Sequence, residues 1–160
     1  WMRVDLPEPV FAQLDVTIAS LHLPCFRCRE EKENTRAVLR AIENPLVDII
    51  GHPDDARLPL SYEPIVEAAK KHKKLLEVNE SSLNPSGYRL GAADNYREML
   101  RLCKEYQQPI VVDSDAHFLT QIGAHARAEA LLKELNFPED LVINGSVEQF
   151  LQYTGKYRRK

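Results

Sequence analysis

Three of the five histidines stand directly after segments that read as β-strands. His22 follows the first such segment, His52 follows the second, and Asp115 and His117 follow the fourth. The carboxyl ends of parallel strands meet at one edge of a sheet, so these four side chains are expected to lie together. Imidazole and carboxylate groups are preferred ligands of zinc, manganese and iron. The sequence therefore predicts a metal site formed by His22, His52, Asp115 and His117.

The residues around these ligands support this interpretation. Asp115 and His117 are two positions apart, so on an extended segment their side chains point the same way. Gly51 permits a tight turn before His52, and Pro53 stiffens the backbone after it. A single histidine at a strand end is more often a hydrogen-bonded structural group. It is the combination from three strands that favours metal binding.

Other polar residues are expected to lie outside the ligand set. His72 belongs to a lysine-rich helical segment and is expected to be solvated, and His125 lies in a later helical pattern. Glu77 and Asn79 follow the alternation of their strand less cleanly than ligands would. They are expected to line the site or the interior of the fold without binding metal.

Other catalytic signatures are absent from the sequence. It has no G-x-S-x-G elbow, Walker loop or dinucleotide-binding glycine pattern. Ser114 as a nucleophile with His117 as its base is disfavoured, because neighbours in a tight loop seldom adopt triad geometry. Cys25 and Cys28 form a C-x-x-C pattern typical of half a zinc site or of a redox pair, but Cys103 stands alone. Without a second pair we interpret Cys25 and Cys28 as incidental loop thiols.

The segments that must position the ligands alternate between strands and helices. Short runs rich in β-branched residues, bounded by Gly, Pro or Asn, predict five strands. They cover residues 14–19, 47–50, 75–78, 109–112 and 141–143. The first four begin roughly 30 residues apart, which is the length of a βα unit. The fold class is therefore predicted to be α/β, with parallel strands joined by crossover helices.

Helical patterns fill the spaces between the strands, and each begins near a residue that can cap a helix. The candidate caps are Asn34 or Thr35, Ser61, Asp94 and Ser146. Ser146 also starts a capping-box pattern that predicts a short last helix.

Length, composition and charge limit the number of domains and the kinds of partner that are expected. A chain of 160 residues is expected to form a single domain over 1–160. The net charge is −3 and the one basic cluster lies at residues 156–160, so no nucleic-acid partner is expected. No apolar run is long enough to cross a membrane and no signal-peptide pattern is present. We therefore expect a cytoplasmic protein without a membrane partner.

Two architectures accommodate the predicted strands. One is a small doubly wound sheet, and the other is part of a (β/α) barrel, which normally needs about 250 residues. The chain opens with Trp1 in place of methionine, and a strand follows almost at once. We expect the chain to be cut from a longer one.

Three runs of residues resemble the PHP (polymerase and histidinol phosphatase) superfamily, most closely its single-domain bacterial phosphatases. They are DIIGHP at 48–53, VEAAKKHKKLLEVNESS at 66–82 and SDAH at 114–117. This resemblance implies a distorted (β/α)7 TIM-like barrel that binds up to three divalent metal ions, Zn, Mn or Fe, and hydrolyses phosphate esters. It also implies that His22 and His52 ligate one metal, Asp115 another and His117 a third.

The sequence departs from this family in one respect. The family begins with a strand carrying His-x-His and continues with further histidines and a bridging Glu, and none of these motifs occurs here. The resemblance therefore implies that the chain is the carboxyl-terminal portion of a PHP-type domain. A half-barrel exposes a strand edge, so we expect self-association or pairing with the missing amino-terminal half.

The implied mechanism uses metal-activated hydroxide to attack a small phosphorylated substrate, with Asp54 or Asp113 holding the histidine tautomers. Two alternatives stay open. One is a truncated or degenerate barrel without catalytic activity. The other is a different metallohydrolase on a related barrel, such as a deacetylase or amidohydrolase.

Overall fold

Four parallel strands form one sheet in the computed structural model, which describes residues 6–11, 13–27 and 30–154. Their order is sequential, and each strand pairs in parallel with the next one along the chain. The strands are β1 (Ile18–Ser20), β2 (Ile49–Gly51), β3 (Leu75–Asn79) and β4 (Ile110–Asp113). The predicted parallel α/β class is therefore confirmed.

Helices connect the strands, and three of them pack side by side on one face of the sheet. These three present apolar residues at helical spacing, and the buried residues join those of the sheet in a single core. The helices are α1 (Glu8–Phe11), α2 (Glu31–Glu43), α3 (Tyr62–His72), α4 (Ala92–Tyr106), α5 (Ala126–Glu134) and α6 (Val147–Tyr153), with α2, α3 and α4 forming the packed layer.

The two faces of the sheet are buried by different parts of the chain. Ile50 and Leu76 face the helical layer, whereas Ile49 and Leu75 face the other side, as the alternation along a strand requires. The second face is covered by a smaller cluster that includes residues of α6. Among the described residues the strand order is sequential and does not reverse.

The predicted fifth strand at 141–143 is wrong. This segment forms two 3₁₀ turns, Glu139–Leu141 and Ile143–Gly145, and only Val142 makes an isolated parallel bridge to Ile110. The Asn144 side chain accepts a hydrogen bond from the Val112 amide and donates one to the Val112 carbonyl, both at 2.7 Å. The side-chain amide thus takes the place of a strand backbone along β4. The first strand is also shorter than predicted, because it begins at residue 18.

The predicted caps of α2 are wrong, because the helix begins earlier, at Glu31. Asn34 and Thr35 lie inside it, buried, and they connect α2 to the segment before α3. Asn34 Nδ2 donates to the Pro59 carbonyl at 3.2 Å, and Thr35 Oγ1 accepts from the Ser61 amide at 2.9 Å. Their polarity serves tertiary contacts rather than a helix end. Ser61 does occupy the N-cap of α3, but without a side-chain capping bond.

The other two capping predictions have different outcomes. Asp94 lies in the first turn of α4, and Gly91, with φ of 66°, occupies the cap position. A Cβ at Gly91 would lie 2.9 Å from the Cβ of Ala56, so both the backbone angle and the space favour glycine. Ser146 does cap a short last helix as predicted, since its hydroxyl accepts from the Gln149 amide at 3.2 Å.

Cys25 and Cys103 lie among the described residues, and both are free thiols. Cys103 is buried in α4, where burial raises its pKa to about 12, and Cys25 is exposed. Cys28 and the basic cluster at 156–160 lie outside the described residues, so both predictions about them stay predictions.

Among the residues that the structure does describe, no helix is both long enough and apolar enough to cross a membrane.

Gly51 marks a close approach between three strands. A Cβ at this position would lie 2.4 Å from Ser20 Oγ, 2.8 Å from Ile18 Cγ2 and 3.3 Å from Glu77 Oε2. We expect Gly51→Ala to lower the free energy of unfolding by about 1–3 kcal/mol, because the side chains of Ile18, Ser20 and Glu77 would have to shift away from the added methyl group. Chemical denaturation measures this loss. Gly145→Ala is the matched control, because nothing lies within 4 Å of its Cβ position. Equal stability of the two variants would contradict the expectation.

Candidate functional site

His22 and His52 come together at the carboxyl edge of the sheet. His22 lies two residues after β1 and His52 directly follows β2. Their Nε2 atoms are 3.1 Å apart, and their rings meet edge to face with centroids 4.6 Å apart. The parallel pairing of β1 with β2 places the two loops side by side, as the sequence predicted.

The backbone around His52 fixes the position of its imidazole, and burial fixes its protonation state. Its φ is 32°, and its amide donates to Glu77 Oε2 at 2.5 Å, which fixes the start of the loop after β2. Burial is the main cause that lowers the pKa of His52 to about 4, with contributions from Arg89 and His22. The imidazole is therefore neutral near pH 7, which is the form that binds metals.

Asp115 and His117 occupy the loop after β4, on the same edge. The Asp115 carboxylate lies 3.5 Å from Arg89 Nη1, and Asp115 has a φ of 51°. His117 is exposed, and its Nδ1 lies 2.9 Å from the Asp115 carbonyl oxygen. The field of Asp115 reaches His52, since it raises the pKa of that imidazole slightly against the larger lowering effects.

The four predicted ligands are thus not gathered into one cluster. Within residues 6–11, 13–27 and 30–154, no group of three or more His, Cys, Asp or Glu side chains is placed to hold a metal ion. The structure brings His22 and His52 into contact, whereas the side chain of Asp115 is paired with Arg89. His117 is exposed, and its imidazole contacts the backbone of its own loop. The four-ligand metal site stays a prediction.

The separation of the His22 and His52 Nε2 atoms is that of an N–H···N hydrogen bond, and it is also compatible with two ligands of one transition metal. Two imidazole nitrogens bound at about 2.0–2.1 Å to one tetrahedral zinc lie about 3.3 Å apart, close to the separation seen here. The buried carboxyl group of Glu77 lies beside the pair, where it accepts from the His52 amide. Burial raises the pKa of Glu77 to about 7, assisted by Asp113, and burial and Asp115 raise the pKa of Asp113.

Glu77 and Asn79 are buried on the sheet face away from the helical layer. Asn79 Nδ2 donates to Glu77 Oε1 at 3.3 Å, and Asn79 Oδ1 accepts from the Ser82 amide at 3.0 Å. Glu77 therefore contacts the site through the backbone of His52 rather than through an imidazole. This placement agrees with the expectation that the two residues line the interior.

Asp54 does not hold a histidine tautomer in the described part of the chain. Its side chain is buried, and the side chains that act on its carboxylate are those of Ser82, Tyr96 and Arg89, not a histidine. Burial raises its pKa to about 6, an effect opposed by Ser82, Arg89 and Tyr96. Arg89 Nε lies 3.7 Å from Asp54 Oδ1.

Arg89 is the site residue that the sequence reasoning missed. It lies in the segment between β3 and α4, beyond the few post-strand residues that the reasoning considered. Arg57 holds this segment: its guanidinium stacks over the Tyr88 ring at 4.2 Å and donates to the Tyr88 carbonyl at 2.9 Å. The Ala56 amide also donates to the Leu90 carbonyl at 2.8 Å. The one feature of the sequence that could have drawn attention to Arg89 is its place in a loop that also contains Pro85, Gly87 and Gly91.

The two histidines left out of the ligand set lie elsewhere. His72 ends α3 and is half-buried, less exposed than expected. His125 occupies the N-cap position of α5 and lies near Asp113, whose pKa it lowers against the effect of burial.

The curated proteins to which this chain is similar include several probable phosphatases. The chain is 42% identical over 159 residues to a probable phosphatase of Caldanaerobacter subterraneus, covering 99% of this chain and 62% of that protein. It is 39% identical over 151 residues to a probable phosphatase of Clostridium novyi, covering 94% of this chain and 61% of the relative. A probable phosphatase of a Thermoanaerobacter species is 39% identical over 159 residues, 99% of this chain and 64% of its own length.

These likenesses support a phosphatase family. They extend over nearly the whole of this chain, but the chain spans only about three fifths of the length of these relatives. No family model matches the sequence.

Proposed function

We propose that this chain is the carboxyl-terminal part of a metal-dependent phosphatase of the PHP superfamily, built on a distorted (β/α)7 barrel. The observation that carries the proposal is the contact between His22 and His52 at the carboxyl edge, in a chain about 40% identical to probable phosphatases. Enzymes with parallel β/α barrels use this edge for catalysis. The sequential strand order is consistent with a barrel wall.

In this proposal the predicted ligands hold up to three ions of Zn, Mn or Fe. His22 and His52 hold one ion, Asp115 contributes to a second and His117 to a third. A bound divalent ion supplies a water of lowered pKa as the nucleophile and neutralises charge on the phosphoryl oxygens.

The chain's own residues prepare this site. Glu77 accepts from the His52 amide and so fixes the backbone that carries the imidazole. The low pKa of His52 keeps its imidazole neutral, so that one of its two ring nitrogens can serve as a ligand. The carboxyl groups of Glu77 and Asp113 lie near one another under this edge and favour positive charge there.

The remaining part of the barrel is proposed to cover the open side of β1. A cleft of about 1040 Å³ extends from His22 and His52 along β1 and α2. Ile18 of β1 is 54% exposed, although it lies on a strand beside a buried residue of β2. Among the described residues β1 pairs only with β2, so a further strand of the intact protein fits this edge.

Hydrolysis of p-nitrophenyl phosphate by the intact protein tests the proposal. We expect release of p-nitrophenol with Mn²⁺ or Zn²⁺, and loss of activity when a chelator is added. Absence of turnover with either metal, or full turnover in the chelator, would contradict it. A panel of acetylated and amide substrates under the same conditions separates a phosphatase from a deacetylase or amidohydrolase.

A second candidate is a non-catalytic partial barrel. It is favoured by the finding that the described residues form no cluster of three metal-binding side chains. This candidate predicts that the 160-residue chain alone, with Mn²⁺ or Zn²⁺ added, releases no phosphate. Turnover by that chain would exclude it.

A further inference from the structure

Three large apolar side chains are exposed in the loop that follows β4. Phe118 is 71% exposed, Leu119 87% and Ile122 68%, so this loop buries little of its apolar surface. The same loop carries Asp115 and His117, two of the predicted metal ligands, and Phe118 is the residue directly after His117. The side chains of Phe118, Leu119 and Ile122, called the loop surface from here on, therefore lie next to the candidate site along the chain.

The loop keeps its shape without burying these side chains. Gln121 Oε1 accepts from the amide of His117 at 2.9 Å and from that of Phe118 at 3.3 Å. The Gln121 amide donates to the Phe118 carbonyl at 2.9 Å, within the 3₁₀ turn Leu119–Gln121. Exposure of apolar groups to water is unfavourable, and these hydrogen bonds do not require it. The loop thus presents apolar groups that its own fold does not use.

Tyr88, in the neighbouring loop after β3, shows how this fold engages an exposed aromatic ring. The Arg57 guanidinium stacks over that ring at 4.2 Å and donates to the Tyr88 carbonyl at 2.9 Å. Phe118, in contrast, makes no contact with another ring or with a cation in the part of the chain that the structure describes. The ring of Phe118 is therefore free to pack against a ligand.

The size of the loop surface decides between a small molecule and a protein as its partner. Three side chains of this kind, exposed to this degree, present on the order of 400 Å² of surface. A stable interface between two proteins buries roughly 800 Å² on each side. The loop surface is about half of that, whereas one or two aromatic rings of a small ligand cover it well.

We infer that Phe118, Leu119 and Ile122 bind the organic part of the substrate, and that this part is aromatic. The inference rests on the proposed function and adds to it a substrate class, the phosphate monoesters of aromatic alcohols. When the phosphoryl group lies beside Asp115 and His117, the organic group extends from it toward the rim of the loops. Phe118 offers this group a ring to pack against, and Leu119 and Ile122 extend the apolar contact. The three residues determine specificity and take no part in the chemical step.

Hydrolysis of 2-naphthyl phosphate and phenyl phosphate by the intact protein in Mn²⁺ tests this inference. The two leaving groups are similarly acidic, so the ratio of the two kcat/KM values measures contact with the larger ring system. We expect a preference for the naphthyl ester. Phe118→Ser and Leu119→Ser should each lower this preference by about three- to tenfold, through a higher KM, because each removes apolar contact area.

Two further variants serve as controls in the same turn. Phe118→Leu keeps an apolar side chain and should retain most of the preference for the naphthyl ester. Thr120→Ala changes an exposed polar residue between Leu119 and Gln121, and it should leave the preference as it is in the unaltered protein. Circular dichroism confirms that each variant is folded, and if Phe118→Ser is not, Leu119→Ser must show the effect.

A binding measurement separates this inference from the proposed function. Calorimetry on the intact protein in Mn²⁺ compares 2-naphthylphosphonate with methylphosphonate, neither of which has an ester bond to hydrolyse. We expect the naphthyl compound to bind more tightly, and Phe118→Ser to reduce that advantage about three- to tenfold while methylphosphonate binding stays unchanged. Naphthylphosphonate binding that depends on Phe118, without hydrolysis of any phosphate ester, would uphold this inference and reject the proposed function.

Several outcomes would overturn the inference. One is an unchanged preference in folded Phe118→Ser and Leu119→Ser variants, and another is the absence of any preference in the unaltered protein. An equal loss of methylphosphonate binding would show that the substitutions act on Asp115 and His117 instead. Sedimentation supplies the last outcome: self-association that Leu119→Ser abolishes, with the ester preference unchanged, would make the loop surface an interface between copies of the protein.

Discussion

Replacing His52 with alanine and Asp115 with asparagine together is expected to abolish phosphate release by the intact protein. The double variant removes one member of the His22 and His52 pair and the carboxylate on the neighbouring loop. Loss of residues that merely orient a metal ligand costs about 10–100-fold, so loss of two ligands should lower turnover by far more than a hundredfold. Release of p-nitrophenol measures the effect, and titration with Mn²⁺ measures the accompanying loss of metal binding.

His72→Gln is the matched control for this experiment. His72 ends α3, just before β3 begins, so it lies at the opposite edge of the sheet from the site. Its replacement should leave turnover and Mn²⁺ binding unchanged. Undiminished turnover in the double variant would reject the assignment of His52 and Asp115, whereas a loss in both proteins would show that the assay responds to stability alone.

The sequence was sufficient to predict the parallel strands and the meeting of His22 with His52. Both follow from one rule: consecutive βα units place every loop after a strand at the same edge. The rule states which loops are neighbours, but it does not state how each loop folds. His117 shows the limit, because its ring turns to the carbonyl of Asp115 within its own loop.

The sequence did not predict the side chains that make contacts over long sequence distances. Asn144 replaces a strand by binding the backbone of Val112, and no local pattern distinguishes that asparagine from a turn residue. Arg89 reaches the site because its segment is held by Arg57, and this contact joins residues 31 positions apart. Propensity and periodicity describe neighbours along the chain, so they carry no information about such contacts.

Glu80 also makes contacts over a long sequence distance, and replacing it tests what stabilises the start of α5. It directly follows β3 and is buried, where Oε2 accepts from the amides of Arg127 and Ala128 at 2.9 Å each. Its Oε1 accepts from Arg127 Nη1, also at 2.9 Å. α5 has no cap from its own N-cap side chain, so a carboxylate from 47 residues away satisfies its first amides.

Glu80→Ala is expected to lower the free energy of unfolding by about 2–3 kcal/mol, because it removes a cap and leaves the buried amide of Ala128 without an acceptor. Glu80→Gln keeps one carbonyl oxygen for the two amides and should cost less. Glu139→Ala, at an exposed position, is the control and should cost almost nothing. Urea denaturation of the three variants gives the order. If Glu80→Ala proved as stable as Glu139→Ala, the start of α5 would not need this carboxylate, and the capping role of Glu80 would be rejected.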